Sequence, residues 1–155
     1  MKRSLLTLLL VAFVTAAFSQ SRSFTGKPRY DILTKRVTTT LVITTVELFP
    51  IIAPLHVNNF DRLVSFQFFD TTAFHRVIPG FMIQGGDPNS RSGPRATWGN
   101  GDPSQPTVNA EFTAAKHLRG SLSAARDASI NSANSQFFIC VAPAAWLNGQ
   151  YSVYG

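Results

Sequence analysis

Residues 74–88 read FHRVIPGFMIQGGDP, two short apolar runs on either side of Pro79-Gly80. Proline presets φ and glycine tolerates positive φ, so this dipeptide is a strong turn signal and the stretch reads as a β-hairpin. Loop length then decides which side chains share a face. A two-residue loop places Arg76 with Ile78, Phe81 and Ile83. A three-residue loop, Pro79 to Phe81, places Arg76, Ile78, Met82 and Gln84 together and leaves Val77 and Ile83 behind them. The second is preferred, because it turns a compact apolar pair toward a core. It also stands a guanidinium and an amide above an apolar floor, which is a binding surface.

Further along, SQFFICVAPAAWLNGQYSVYG occupies residues 135–155. Strand parity puts Gln136, Phe138 and Cys140 on one face and Phe137, Ile139 and Val141 on the other. A polar and aromatic face backed by an apolar one repeats the hairpin's design.

These two stretches resemble, in order, the central and second signatures of the cyclophilin-type peptidyl-prolyl isomerases. The resemblance runs from residue 37 to residue 155 and implies a mostly β fold, an antiparallel eight-stranded barrel with flanking helices. On that pattern the final strand and the second helix are missing from this chain. The domain at 37–155 is therefore expected to be incomplete at its C-terminus. By motif position Arg76 corresponds to the family's catalytic arginine. Gln84, counted with it as catalytic, and Gln136 correspond to amides that grip the substrate backbone. Phe81, Met82, Phe138 and Leu147 match the pocket that takes the proline ring, and Ala125 a small residue on its rim. Trp146 matches the rim tryptophan associated with cyclosporin, which makes a cyclosporin-type ligand an implied partner beside proline-containing polypeptide clients. Two positions depart from well-known members. Arg126 stands where they carry an asparagine whose backbone holds substrate, and Tyr151 where many have histidine. The family's glycine from the long loop corresponds to either Gly99 or Gly101.

Working outward, 155 residues suffice for one domain with a real core. Lys2-Arg3, an apolar run over 5–18 and Ala17-Phe18-Ser19 form a Sec-type signal peptide at 1–19, too short for a comfortable membrane span of ~20 residues. The chain is thus expected to be periplasmic or secreted, with no stable membrane anchor after cleavage. Removal of the leader lowers the formal charge from +6 by two. The remaining Lys and Arg are scattered rather than striped, so nucleic acid is not an expected partner. The lone Cys140 lies inside an apolar strand and cannot form an internal disulfide. A monomer is expected.

Residues 20–36, polar and broken by Gly26-Lys27-Pro28, read as a leader or linker. Residues 37–49 read as strand, apolar on both faces (Leu41 and Ile43; Val42, Val46 and Leu48), with a bend at Thr44-Thr45. Pro54 then opens an amphipathic helix carrying Ala53, Val57, Phe60 and Val64 on one side and ending near Ser65. Residues 88–106 form a long loop rich in Gly and Pro, where Trp98 reads as a packing anchor. Strands follow at 121–125 and 136–141.

The case for Arg76 also rests on chemistry. An X–Pro bond resists rotation by ~18–20 kcal/mol because the nitrogen lone pair is delocalised. In the twisted transition state that nitrogen can accept a hydrogen bond that the planar amide cannot. A permanently charged guanidinium aimed there stabilises the transition state above the ground state. No metal, cofactor or nucleophile is required. His56, His75 and His117 lack zinc-like spacing, and read as helix-face, strand-packing and surface residues. Neither a Gly-x-Ser-x-Gly elbow nor a Walker loop is present. The expected activity is prolyl cis–trans isomerisation in protein clients; the alternative is a non-catalytic proline-peptide binding or chaperone module.

Overall fold

The structure, a computed structural model, describes residues 25–36 and 39–155. The signal peptide expected at 1–19 lies outside the described residues. The fold is mostly β with one α-helix among them, in the order β1 Arg29–Arg36, β2 Thr39–Glu47, α1 Pro54–Ser65, β3 Arg76–Ile78, β4 Met82–Gly85, β5 Leu122–Ala124 and β6 Phe137–Cys140.

The described strands make two antiparallel sheets, β1-β2 and β3-β4-β6-β5. Backbone bonds join them through residues 152–155. Leu122 N donates to Gly155 O (2.9 Å), Tyr154 N to Leu122 O (3.0 Å) and Phe49 N to Tyr154 O (2.8 Å). The end of β2 is thereby tied to β5 by a short extended segment.

Three readings need correction here. Residues 29–36 are strand, not linker: Tyr30, Ile32 and Thr34 alternate with exposed Arg29, Asp31 and Leu33, and the strand pairs with β2 from Arg29↔Glu47 to Arg36↔Thr39. Period-2 alternation with polar residues on one face was present, but the flanking Gly, Pro and basic residues masked it. The second concerns the bend. β2 runs unbroken through Thr44-Thr45, and the irregularity falls instead on β1, between Thr34 and Lys35. Nor is β2 covered on both faces: Val46 and Leu48 are buried, whereas Leu41, Val42 and Ile43 are more than half exposed.

Helix α1 has the expected bounds, with Pro54 in its first turn. Ala53 offers no side-chain cap. Glu111, far along the chain, supplies one instead, its two carboxylate oxygens accepting from Leu55 N and His56 N at 3.0 Å each. A carboxylate there satisfies orphan amide donors and complements the helix dipole. Burial would raise the Glu111 pKa, but the His56 ring at 2.7 Å and the two amides more than offset it and hold it below the ordinary value.

The main core lies between α1 and the inner sheet faces and includes Val57, Phe60, Leu122, Phe137, Ile139 and Tyr154. Phe60 is its hub, with ring centroids 5.6 Å from Tyr30, 5.0 Å from Phe69, 5.8 Å from Phe137 and 5.9 Å from Tyr154. A second, smaller cluster of Met82, Phe138, Cys140 and Ala144 occupies the opposite side of the β4-β6 pair. The sheet thus has a structural face and a second face on which the polar residues of the hairpin stand.

Candidate functional site

The hairpin has the three-residue loop. Arg76 faces Gln84, Val77 faces Ile83 and Ile78 faces Met82. Phe81 N donates to Ile78 O at 3.1 Å and Gly80 has φ of 74°, the left-handed conformation that glycine adopts without a Cβ penalty. Ile83 packs on the main core, but its partner Val77 is 59% exposed because β3 is an edge strand.

Strand β6 lies against β4 with Gln84↔Phe138 and Met82↔Cys140 in register. Its parity is as read: Phe137 and Ile139 enter the main core, Phe138 and Cys140 the second cluster. Two consecutive phenylalanines thus serve opposite faces.

Gly86 sets the exit from β4. Its φ is 84°, and a Cβ there would sit 2.4 Å from Ser135 O. The close approach is locked by Ser135 Oγ donating to Gly86 O at 2.8 Å. It brings residue 136 beside Gln84.

A relay of polar groups follows. Arg76 Nη1 donates to Gln84 Oε1 (3.2 Å), Gln84 Nε2 to Gln136 Oε1 (3.0 Å) and Gln136 Nε2 to Gly99 O (2.9 Å). Gly99 N in turn donates to Asp87 Oδ2, and Asn89 N to Asp87 Oδ1 at 2.9 Å. Asp87 is wholly buried, so its carboxylate takes these backbone donors in place of water. The relay fixes amide orientation: Gln84 uses its oxygen toward Arg76, which leaves its nitrogen for Gln136.

Arg76, Gln84 and Gly99 of this relay border a cleft of about 700 Å³. Met82 and Phe138, 1% and 5% exposed, form its floor. Phe81 and Trp146, with centroids 5.4 Å apart, stand on one wall beside Leu147. Ala125, Arg126 and Tyr151 form the other, the Arg126 guanidinium stacked 4.5 Å above the Tyr151 ring, which meets Phe138 edge-on at 5.8 Å. Arg76 and Gln84 border it from the hairpin; Gln136 stands behind Gln84 rather than on the lining. Of the site residues singled out from sequence, all but Gln136 line this one cleft.

It adds two that sequence reading had not placed in the site, His75 and Trp98, and selects one of the two glycines left open. Trp98 is both anchor and wall, its indole N–H bonded to Gly93 O at 2.9 Å while its ring faces the cleft. Gly99, not Gly101, lines the cleft. Proximity of His75 to Arg76 in sequence was the available signal. Both ring nitrogens of His75 are buried without a hydrogen-bond partner among the described residues.

His117 is a correction, being 1% exposed rather than on the surface. Its ring stacks on Phe138 with centroids 6.0 Å apart and reaches Ser123 Oγ (3.1 Å) and Asn148 Oδ1 (3.2 Å). Burial lowers its pKa, with the Asn148 bond opposing. A serine, a histidine and an amide in a row resemble a nucleophilic triad. Ser123 is 0% exposed, however, and also bonds Ser152 O at 2.9 Å. Sealed from substrate, the row braces the cleft floor.

No group of three or more His, Cys, Asp or Glu that could hold a metal is found among the described residues. Burial pushes the Cys140 thiol up, away from the reactive thiolate.

Comparison with known proteins finds one family match, described as cyclophilin type peptidyl-prolyl cis-trans isomerase/CLD, over residues 34–155. A probable peptidyl-prolyl cis-trans isomerase of Brucella suis is 43% identical over 114 residues, 71% of this chain and 58% of the relative. Peptidyl-prolyl cis-trans isomerase A of Dickeya dadantii is 44% identical over 108 residues, 66% of this chain and 54% of the relative. Among solved structures, a cyclophilin type peptidyl-prolyl cis-trans isomerase of Cryptosporidium parvum, crystallised in the presence of the dipeptide Ala-Pro, matches with a TM-score of 0.63. The two are 34% identical, over 72% of this chain and 69% of that one. The chain spans 58% of the length of the first curated relatives it matches.

Proposed function

This chain belongs to the cyclophilin-type peptidyl-prolyl cis-trans isomerase family, and from that membership we propose that it accelerates rotation about X–Pro bonds in polypeptide clients. The observation that carries the reading is Arg76 held by Gln84 at the edge of a cleft floored by Met82 and Phe138. The apolar floor takes the proline ring, which places the scissile-free, rotating C–N bond near the guanidinium. Gln84 accepts from one Nη1 hydrogen, so other N–H donors of the fork remain for the pyramidal nitrogen of the twisted state. Gln136, by holding Gln84 from behind, positions rather than touches. No covalent bond forms or breaks; the work is electrostatic and geometric.

Phe81, Leu147, Ala125 and Tyr151 complete the proline pocket in this reading. Trp146, 61% exposed beside Phe81, offers an apolar rim suited to a cyclosporin-type macrocycle. The basic and apolar pattern of residues 2–19 supports export to the periplasm or beyond, with the enzyme acting there as a monomer.

The test is two-dimensional exchange NMR on an Ala-Pro peptide with the full chain added. Cis–trans exchange that speeds up in proportion to protein, and is suppressed by cyclosporin, supports the proposal. Peptide binding without faster exchange would leave only a binding module.

A further inference from the structure

We propose that Arg126 is a specificity residue that makes this cleft prefer proline segments carrying an acidic side chain next to the proline. This inference rests on the isomerase reading and names its substrate class.

Two guanidiniums, Arg76 and Arg126, border the cleft, and no carboxylate does. Neither is in an ion pair among the described residues, where the ion pairs are Lys27–Glu47, Arg29–Glu47 and His56–Glu111. The contacts of Arg126 are all to neutral groups. Nη2 donates to Gln150 O at 3.1 Å, Nε to the same oxygen at 3.4 Å, and Nη1 to Asp127 O at 2.8 Å and Ala128 O at 3.4 Å. The plane lies over Tyr151 at 4.5 Å. Carbonyl oxygens and a π-face orient a cation without cancelling its charge.

The four bonds use four of the five N–H donors of the fork, leaving one Nη2 hydrogen for a ligand. The same contacts tie together the two segments of that wall, 126–128 and 150–151, so little side-chain freedom remains to be lost on binding. Asp127, the adjacent acid, is exposed, and its carboxylate makes no ion pair with Arg126. A rim of this kind attracts Glu or Asp beside the proline ring and repels Lys or Arg. Half-exposed charge pairs are worth little, so a ratio of about two- to fivefold is expected between Glu and Ala.

The experiment is exchange NMR on peptides identical except for Glu, Ala or Lys immediately before, and in a second set immediately after, the proline. The method needs no protease whose own preferences would intrude. We expect kcat/KM in the order Glu, Ala, Lys at low salt in at least one set. The three should converge in 1 M salt, where the Debye length is about 3 Å. Arg126→Gln should bring the Glu-to-Ala ratio close to one, whatever it does to the absolute rates, and Arg126→Lys should keep most of it. A ratio of one in the unmodified protein overturns the inference, as does a ratio that Arg126→Gln leaves intact. If Arg126→Gln proves unfolded, the salt series and Arg126→Lys decide. If no peptide is turned over at all, the isomerase reading falls. Affinities titrated in the same samples then decide the charge preference alone: the same order supports it, equal affinities overturn it.

Discussion

Arg76 and Gln84 are register partners across the β3-β4 hairpin, and the guanidinium donates to the amide oxygen at 3.2 Å. The loop of three residues is what makes them partners. The guanidinium fork is therefore held by the turn that the chain makes between them.

Arg76→Ala is expected to lower kcat/KM for isomerisation by about 10²–10³-fold, the usual effect of losing one transition-state donor, with a much smaller loss of peptide affinity. Arg76→Lys should recover little, because a point charge lacks the fork. Exchange NMR for rate and titration for affinity check both; equal losses would make Arg76 an ordinary anchor.

Phe138→Ala should weaken peptide binding and turnover together by removing the cleft floor. Phe137→Ala should chiefly unfold the protein, by roughly 3–5 kcal/mol, since that ring packs against Phe60, Phe69 and Phe74. Denaturant melts beside peptide titrations separate the two. An exchange of roles would overturn the parity assigned to β6.

Gly86→Ala should be destabilising by roughly 1–3 kcal/mol from backbone conformation alone. The steric clash with Ser135 O adds to this, because backbone cannot move aside as a flexible side chain does. Thermal unfolding reads the loss. By contrast Gly80→Ala meets open space and carries only the conformational part.

The fourth expectation concerns pH. Burial holds the His117 pKa below its usual value of about 6.5, so the unfolded chain takes up a proton before the folded one does. The contribution of His117 to stability is full above that value and is lost as pH falls through the folded pKa. Unfolding free energy should therefore decline on acidification from about pH 6.5, before the carboxylates titrate. His117→Asn should flatten that part of the profile. A slope unchanged by the substitution would place its origin elsewhere.

How far the sequence alone reaches depends on whether a residue sits in a periodic element. Arg76, Gln84 and Phe138 were legible because turn chemistry and strand parity fix which way they face. Pro54 and the spacing of Val57 and Phe60 gave α1 its bounds. Trp98 and Gly99 reach the cleft through a loop whose path is decided by Asp87 and Asn89, with no period to read. His117 was misplaced for a related reason. Its partners Ser123, Phe138 and Asn148 come from three separate segments, and nothing near it in sequence announces them. In β1 the alternation existed, but charged residues and a neighbouring proline outweighed it.

Because Phe137 and Phe138 serve opposite faces, the two codons between Gln136 and Ile139 are sensitive to reading register in a way that ordinary substitution does not reveal. One residue inserted or deleted immediately before Phe137 would turn both rings about, sending the pocket's floor inward and the core's ring outward. Evolution can thus vary side chains here one at a time, but it cannot lengthen or shorten this strand by single steps. Length variation among descendants of this sequence should gather in the exposed loop tip at 127–131 and spare 136–140.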